Sequence, residues 1–435
     1  MSWKRIFIII GAVVYTATLQ WAYPFVLVPS FGYAGMTYAD LTATTVAIQY
    51  VLACLPSLWL PAEINKPSQF QWWVLYVTVI VPSCILPYHV TGLAPENIHL
   101  FLIFIIACFA IMCTVSFLRP ISLPHFIIQS WAYTVLLGAI TVLTYAWLAF
   151  YRGLPAMLLP LEQVYELRTE LRGSNLPAFL SYLIWWQGMV VNPLISAIGF
   201  IRRRWLVVGA GCLLQVMLYS MTSLRTFLCA MVFQAAFGIF LLLFRRLRGP
   251  LFLYALIASV FVAVGWNLYD RQAISPLLLL DRWIFNAGQL SGYYLEFFSY
   301  HPPAYMQHSS LPFLRWLFPG PYDLPIGQVI GRAYFIEQSD GVFTNATAHL
   351  WADGFAAFGY GGVVASSFFA ALALWLADSL CLKIPPRLVL TAYCMVSMSL
   401  INQGVQTMML TGGMLPFLLL LIFVPNYRLV SRDRA

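Results

Sequence analysis

Arginines recur in this sequence at spacings that would let them grip a phosphate. Arg168 and Arg172 lie four residues apart in LEQVYELRTELRGSN, interleaved with Glu162, Glu166 and Glu170. Residues four apart on a helix share a face, so both guanidiniums would point the same way. Two readings stay open for this stretch. One is a solvated helix laced with ion pairs; the other is a cationic fork, since arginine meets phosphate oxygens bidentately and keeps its charge. Arg225 stands in MTSLRTF, a tight turn between apolar runs. Arg282 opens DRWIFNAGQLSGYYLEFFSYHPP, where Trp283, Phe285, Leu290, Tyr294, Phe297 and Phe298 recur near helical spacing with Asp281, Glu296 and His301 among them. That pattern predicts an amphipathic helix lying on a membrane surface, with aromatic residues that serve equally as interface anchors. Arg332 follows in GRAYFIEQSDG, and Asn345, His349 and Asp353 stand at i, i+4 and i+8 in FTNATAHLWADGFAAFGYGG. This spacing predicts one polar stripe on a helical face at the mouth of a span. Gly354, Gly359, Gly361 and Gly362 predict close helix packing beside it, and Asn345-Ala-Thr347 matches the short glycosylation acceptor pattern.

The elements that must position these residues are apolar helices. Of 435 residues, 61% are hydrophobic and 9% charged, against roughly a quarter charged in a soluble domain. A span needs about 20 apolar residues, and that ruler predicts an all-α chain with about twelve spans. They fall roughly at 6–27, 41–62, 71–92, 98–117, 126–149, 178–200, 205–222, 226–244, 250–268, 355–379, 388–404 and 408–425. The whole chain, 1–435, reads as one membrane domain with two large outer segments, 150–177 and 269–354. The net charge of +8 is carried at helix ends, by Lys4, Arg5, Arg202 to Arg204, Arg245, Arg246, Arg248, Arg428, Arg432 and Arg434 among others. Such placement reports topology rather than nucleic-acid binding. With the N-terminus inside, fifteen of the lysines and arginines fall inside and eight outside, so both termini are expected in the cytoplasm and the first span is expected to be retained. Arg152, Arg168, Arg172, Arg225, Arg271, Arg282, Arg315 and Arg332 then lie on the side the rule disfavours, which asks for a functional reason.

Several classes drop out. The eight cysteines lie in or beside apolar runs and none in the long outer segment, which argues against disulfides and metal clusters. The sequence holds no P-loop, dinucleotide glycine fingerprint, zinc motif or GxSxG elbow, so neither a cofactor nor nucleotide-driven chemistry is expected. Charges are almost missing from the span centres, which argues against an ion-coupled transporter.

The chain resembles the Wzy-type O-antigen polymerases, or oligosaccharide repeat unit polymerases. The resemblance covers most of its length and rests on the many-span layout, YELRTELRGSN before a span, TSLRTF, DRWIFNAGQLSGYYLEFFSYHP and the closing FTNATAHLWADGFAAFGYGG. It implies a membrane glycosyltransferase of the glycosyltransferase C-like class, set in the bacterial inner membrane and active on its periplasmic face. Donor and acceptor would be glycans on undecaprenyl pyrophosphate, each cycle moving the growing chain onto a new repeat unit, and a chain-length regulator protein would be a further partner. The resemblance carries an essential-arginine role onto Arg168, Arg172, Arg225 and Arg282. The family's pairing of an arginine and a glycine across ten residues is not met, since nine separate Arg282 from Gly292. In such an enzyme arginines, with Arg332 and Asn345 beside them, would hold pyrophosphate and glycan. Glu296, His301, His349 or Asp353 would take the acceptor hydroxyl proton. An O-antigen ligase shares the donor and differs in the acceptor. A flippase or exporter of lipid-linked sugars is the alternative from another class.

Overall fold

The computed structural model describes residues 3–124, 126, 128–153, 177–244, 247–269, 280–307, 309, 311–335 and 345–423. Among the described residues the chain is helical, and its one extended pairing is an isolated bridge between Glu63 and Arg248. Nine helices among the described residues are long and apolar enough to cross a membrane: α1 (Trp3–Ala34), α3 (Pro67–Val90), α4 (Pro95–Thr114), α5 (Trp131–Tyr151), α6 (Phe179–Ile201), α7 (Trp205–Thr222), α9 (Gly249–Tyr269), α13 (Leu350–Lys383) and α15 (Val405–Ile422). Two shorter apolar helices, α2 (Ala43–Leu58) and α8 (Thr226–Leu241), stand with them, as does α14 (Pro386–Ser397). The long connecting segment 269–354 contributes α10 (281–300), α11 (Pro312–Leu317) and α12 (Ile326–Tyr334). This is the architecture of a polytopic membrane protein, and the arginine pair Arg168 and Arg172 lies outside the described residues.

Local signals account for several starts. Thr42 caps α2 by accepting from the Thr45 N–H at 3.2 Å, as an N-cap hydroxyl does. Pro95 and Glu96 open α4, where a missing N–H costs nothing and a carboxylate suits the positive end of the dipole. For α3 the cap comes from another span. Asp378 accepts from the Ser68 N–H at 3.0 Å and from its hydroxyl at 2.7 Å, tying α13 to the first turn of α3. A cluster of neutral polar groups joins α5, α6, α7 and α8. Gln187 donates to Thr141 at 3.0 Å and to Asn192 at 2.7 Å, Asn192 donates to Gln215 at 2.9 Å, and Gln215 donates to the carbonyls of Gly188 and Phe227.

The helix over 281–300 corrects the surface-lying reading. It packs lengthwise against α3, in parallel and in step. A Cβ at Gly288 would stand 2.5 Å from the Pro82 carbonyl oxygen, and one at Gly292 would stand 3.1 Å from the Pro87 Cα. Further along, Glu296 accepts from the Gly92 N–H at 2.7 Å. The first turn, Asp281–Phe285, is π-helical and touches Tyr76–Ile80, the middle of α3. Trp283 stacks edge-on at 5.2 Å against Phe233 of α8. Thus α10 begins level with the middle of α3 and runs beside it past its end.

The second correction concerns 345–357. Asn345, His349 and Asp353 do not form a helical stripe, because residues 345–349 are not helical and the helix starts at Leu350. The chain runs down α10, Tyr294 donating to the Ala346 carbonyl at 2.9 Å and Ser291 meeting His349 at 2.6 Å. It then turns back up. Trp351 lies 6.2 Å from Phe109 and Phe355 lies 5.2 Å from Phe101, so the first arm of α13 climbs along α4. A break at Phe358 and Gly359 (φ +58) reverses it, and the second arm descends to Leu380. The arms touch backbone to backbone, as the glycines lead one to expect: a Cβ at Gly362 would stand 1.9 Å from the Gly354 carbonyl oxygen. Ala304 and Tyr305 donate to the carbonyls of Ala356 and Ala357 at 2.8 and 3.2 Å, fastening the outer loop onto the hairpin tip.

Overpacking this contact tests the hairpin. Gly362→Ala is expected to destabilise the protein by about 1–3 kcal/mol, read as an earlier unfolding transition in detergent micelles. Gly361→Ala meets nothing within 4 Å and is expected to leave that transition in place or raise it.

Candidate functional site

The hairpin and α10 together carry most of the polar residues singled out in the sequence. At the foot of α10, Asp281 is half-buried and Arg282 exposed. The Arg282 guanidinium lies close enough to act on the Asp281 carboxyl. Midway up, His349 is fully buried. Its Nδ1 accepts from the N–H groups of Trp351 and Ala352 at 3.3 and 3.4 Å, so the proton sits on Nε2, which donates to Ser291 Oγ at 2.6 Å. Ser291 Oγ in turn lies 2.6 Å from Ser83 Oγ of α3. The imidazole is therefore a helix cap at the bottom of the re-entrant segment, satisfying donors that no intrahelical carbonyl can reach. Both ring nitrogens are thus engaged, Nδ1 as the cap and Nε2 on Ser291, which gives the buried ring a structural role.

One turn further, Asp353 donates its backbone N–H to the His349 carbonyl at 3.0 Å while its side chain is exposed. The carboxylate lies against Gly404, where a Cβ would stand 1.9 Å from Oδ2. Gly404 follows Gln403, whose extended backbone (φ −148, ψ 148) interrupts the chain between α14 and α15. Two broken helices therefore meet at an accessible carboxylate. Irregular backbone at membrane depth survives only where protein encloses it or water reaches it, and here the Asp353 side chain is exposed rather than enclosed.

At the head of α10 the remaining groups are committed to structure. Glu296 holds the Gly92 N–H at 2.7 Å and a hydrogen bond with Tyr334. Burial raises the Tyr334 phenol, and the nearby Glu296 charge raises it further. Tyr334 also stacks on Tyr293 at 4.3 Å and 10°. His301 stacks flat on Phe297 at 4.0 Å, with Nδ1 at 2.9 Å from the Phe297 carbonyl oxygen. Asn345 is exposed beside α12, where a Cβ at Gly327 would stand 2.4 Å from its Oδ1. Arg332 projects from the same helix and is exposed. Arg225 opens the helix Arg225–Leu243.

The structure thus brings His349, Asp353, Glu296, His301 and Asn345 around the upper part of α10. It leaves Arg282 at the foot, fourteen residues below Glu296, or roughly 21 Å at the helical rise. Sequence reading missed Ser83, Ser291, Tyr294 and Gly404. Ser291 carries a legible signal, a hydroxyl between apolar turns of one helix; nothing local marks Ser83 or Gly404, whose roles depend on partners over 50 residues away. Among the described residues no cluster of three histidines, cysteines or carboxylates stands ready for a metal ion.

Fold and site define an all-helical, polytopic membrane protein with a re-entrant helical hairpin on the side of its large connecting segments. No protein-family model, curated protein or solved structure matches the chain.

Replacing the cap separates its structural role from catalysis. His349→Ala removes an acceptor for two buried N–H groups and is expected to cost about 1–2 kcal/mol of stability. His349→Asn, whose short amide also caps, is expected to recover most of that loss when thermal unfolding is compared across the three proteins.

Proposed function

We propose that this protein polymerises glycan repeat units carried on undecaprenyl pyrophosphate, at the periplasmic face of the bacterial inner membrane. The observation that carries the reading is the exposed Asp353 carboxylate held between two broken helices, on an arm fixed from below by the buried His349 cap. A hydroxyl nucleophile needs a positioned base. We assign that role to Asp353, since Glu296 is held by the Gly92 N–H and His349 caps the helix that follows it, while His301, bonded to its own helix through Nδ1, is the second candidate. In the reaction, the acceptor sugar hydroxyl attacks the anomeric carbon of the donor glycan and Asp353 takes its proton. The bond from that carbon to the pyrophosphate oxygen breaks, and the lipid pyrophosphate leaves with the electron pair.

Charge on the leaving group then needs fixed cations, and preorganised guanidiniums are a strong source of such stabilisation. Arg282, exposed on a π-helical turn level with the middle of α3, stands well below Asp353 and is proposed to hold charge on the lipid carrier rather than to touch the reacting atoms. A charge kept at such depth is costly unless it is used. Arg168, Arg172, Arg225 and Arg332 complete the proposed cationic set.

Purified protein supplied with lipid-linked repeat units is expected to make polymer without added nucleotide. Asp353→Asn is expected to lower kcat about 100-fold or more with little change in unfolding temperature, and Arg282→Ala to lower kcat/KM about tenfold or more, the worth of one charge-assisted hydrogen bond. Full activity in either variant would sink the assignment of that residue. Transfer only to a lipid A core acceptor would make the protein a ligase, and movement of lipid-linked units across vesicles by Asp353→Asn protein would make it a flippase.

A further inference from the structure

The short helix α11 buries none of its side chains in the protein. Phe313, Trp316 and Leu317 are 60%, 82% and 54% exposed, and their spacing of i, i+3 and i+4 puts them on one face. Arg315 is exposed as well, and at the helical repeat it points to the opposite side. Leu314, between the two faces, is half-buried. The helix is therefore amphipathic, with its apolar side left open.

Two spans fix the level at which α11 sits. Before it, Leu311 donates its N–H to Ser309 Oγ at 3.1 Å, and the Ser309 hydroxyl donates to Gln406 in the first turn of α15. After it, Phe318 meets Phe358 edge-on at 5.5 Å, and its carbonyl accepts from the Met306 N–H at 3.2 Å. Phe358 is the tip of the α13 hairpin. From that tip the second arm runs from Gly359 to Leu380, roughly 32 Å at the helical rise, close to the hydrocarbon thickness of about 30 Å. Lys383 stands just past its far end, as a cation at the other membrane surface would. Hence α11 is moored between the ends of two spans, at the boundary of the bilayer they cross. Just below the tip the second arm exposes Val364, Phe368 and Phe369, so lipid reaches the hairpin directly beneath this level.

We infer that α11 is an in-plane membrane anchor, its Phe313, Trp316 and Leu317 face set into the headgroup and upper acyl region of the adjacent leaflet and Arg315 on the aqueous side. Tryptophan favours that zone, and an amphipathic helix lying in it buries its apolar face. The level selects lipid rather than a second copy of the chain, because lipid surrounds the ends of spans. The inference does not depend on the reading of the Asp353 site.

Spin-label accessibility on the full chain in phosphatidylcholine nanodiscs tests it. A nitroxide is attached in turn to Phe313→Cys, Leu317→Cys and Arg315→Cys, and the signal of the native thiols, measured on the wild type, is subtracted. The labels at Phe313 and Leu317 are expected to collide more with molecular oxygen, which concentrates in lipid, than with a water-soluble nickel chelate, and the label at Arg315 the reverse. Adding Trp316→Asp is expected to shift the Phe313 label toward the nickel chelate while the unfolding temperature in detergent holds, because α11 buries no side chain in the protein. Nickel-favoured collisions at both Phe313 and Leu317 would put the stripe in water and overturn the inference, as would a Phe313 label that Trp316→Asp leaves unmoved. Labels on the stripe that neither reagent reaches would overturn it in favour of a protein contact.

Discussion

Backbone N–H and C=O groups at membrane depth have no water to turn to, and the fold around 345–357 depends on how that demand is met. A chain that enters, stops and turns back exposes the first donors of a new helix. His349 accepts two of them and hands its own proton to Ser291, which lies beside Ser83. Three elements, α3, α10 and the first arm of α13, are thereby locked at one level by one neutral ring and two hydroxyls. The Gly354 and Gly362 contact can form only because the arm above that cap starts at the right height. Asp353 inherits its position from both. Its peptide closes the first helical turn on the His349 carbonyl, so the carboxylate stands a fixed distance above the cap.

Elsewhere in the bundle, neutral groups serve where charges would be expensive. Gln187, Asn192 and Gln215 bridge α5 to α8 through side-chain and backbone hydrogen bonds, the arrangement expected of helices that have no hydrophobic drive to associate in lipid. The exception proves informative. Asp378 is a buried carboxylate, but both its oxygens are spent on Ser68 at a helix start, where the dipole favours it. Arg282 is exposed at the foot of α10 and has the Asp281 carboxyl beside it in the chain.

Much of the architecture is written in periodicity. Apolar runs of span length, the helix over 281–300 and the glycine-rich packing after 353 all emerge from spacing, because helix period and side-chain size are local properties. What spacing could not tell was depth. The amphipathic pattern from Trp283 to Phe298 fits a surface helix, yet Gly288 and Gly292 let its backbone press against Pro82 and Pro87 of a helix two hundred residues away. The polar triplet Asn345, His349 and Asp353 obeys a helical repeat by coincidence of count, since the helix begins only at Leu350. Histidine is an uncommon cap, so no local rule points to His349 as the residue that starts it. The arginines at 168 and 172, on which much of the sequence argument leaned, lie outside the described residues, and their meeting with Arg282 stays part of the proposal.

Under the proposed reaction, depth also decides which group takes the proton. A base must reach substrate with a lone pair not already spent. Glu296 receives a backbone N–H and the Tyr334 phenol, His301 is stacked and bonded to its own helix through Nδ1, and His349 is buried with both ring nitrogens engaged. Asp353 alone among these four combines an exposed side chain with an enclosed backbone, and among the described residues its carboxylate packs against the Cα of Gly404, not a donor. The lack of a side chain at Gly404 is what leaves room for it. Any larger residue there would occupy the volume of the carboxylate itself, so the break between α14 and α15 is shaped around Asp353, and the two broken helices are one device rather than two irregularities.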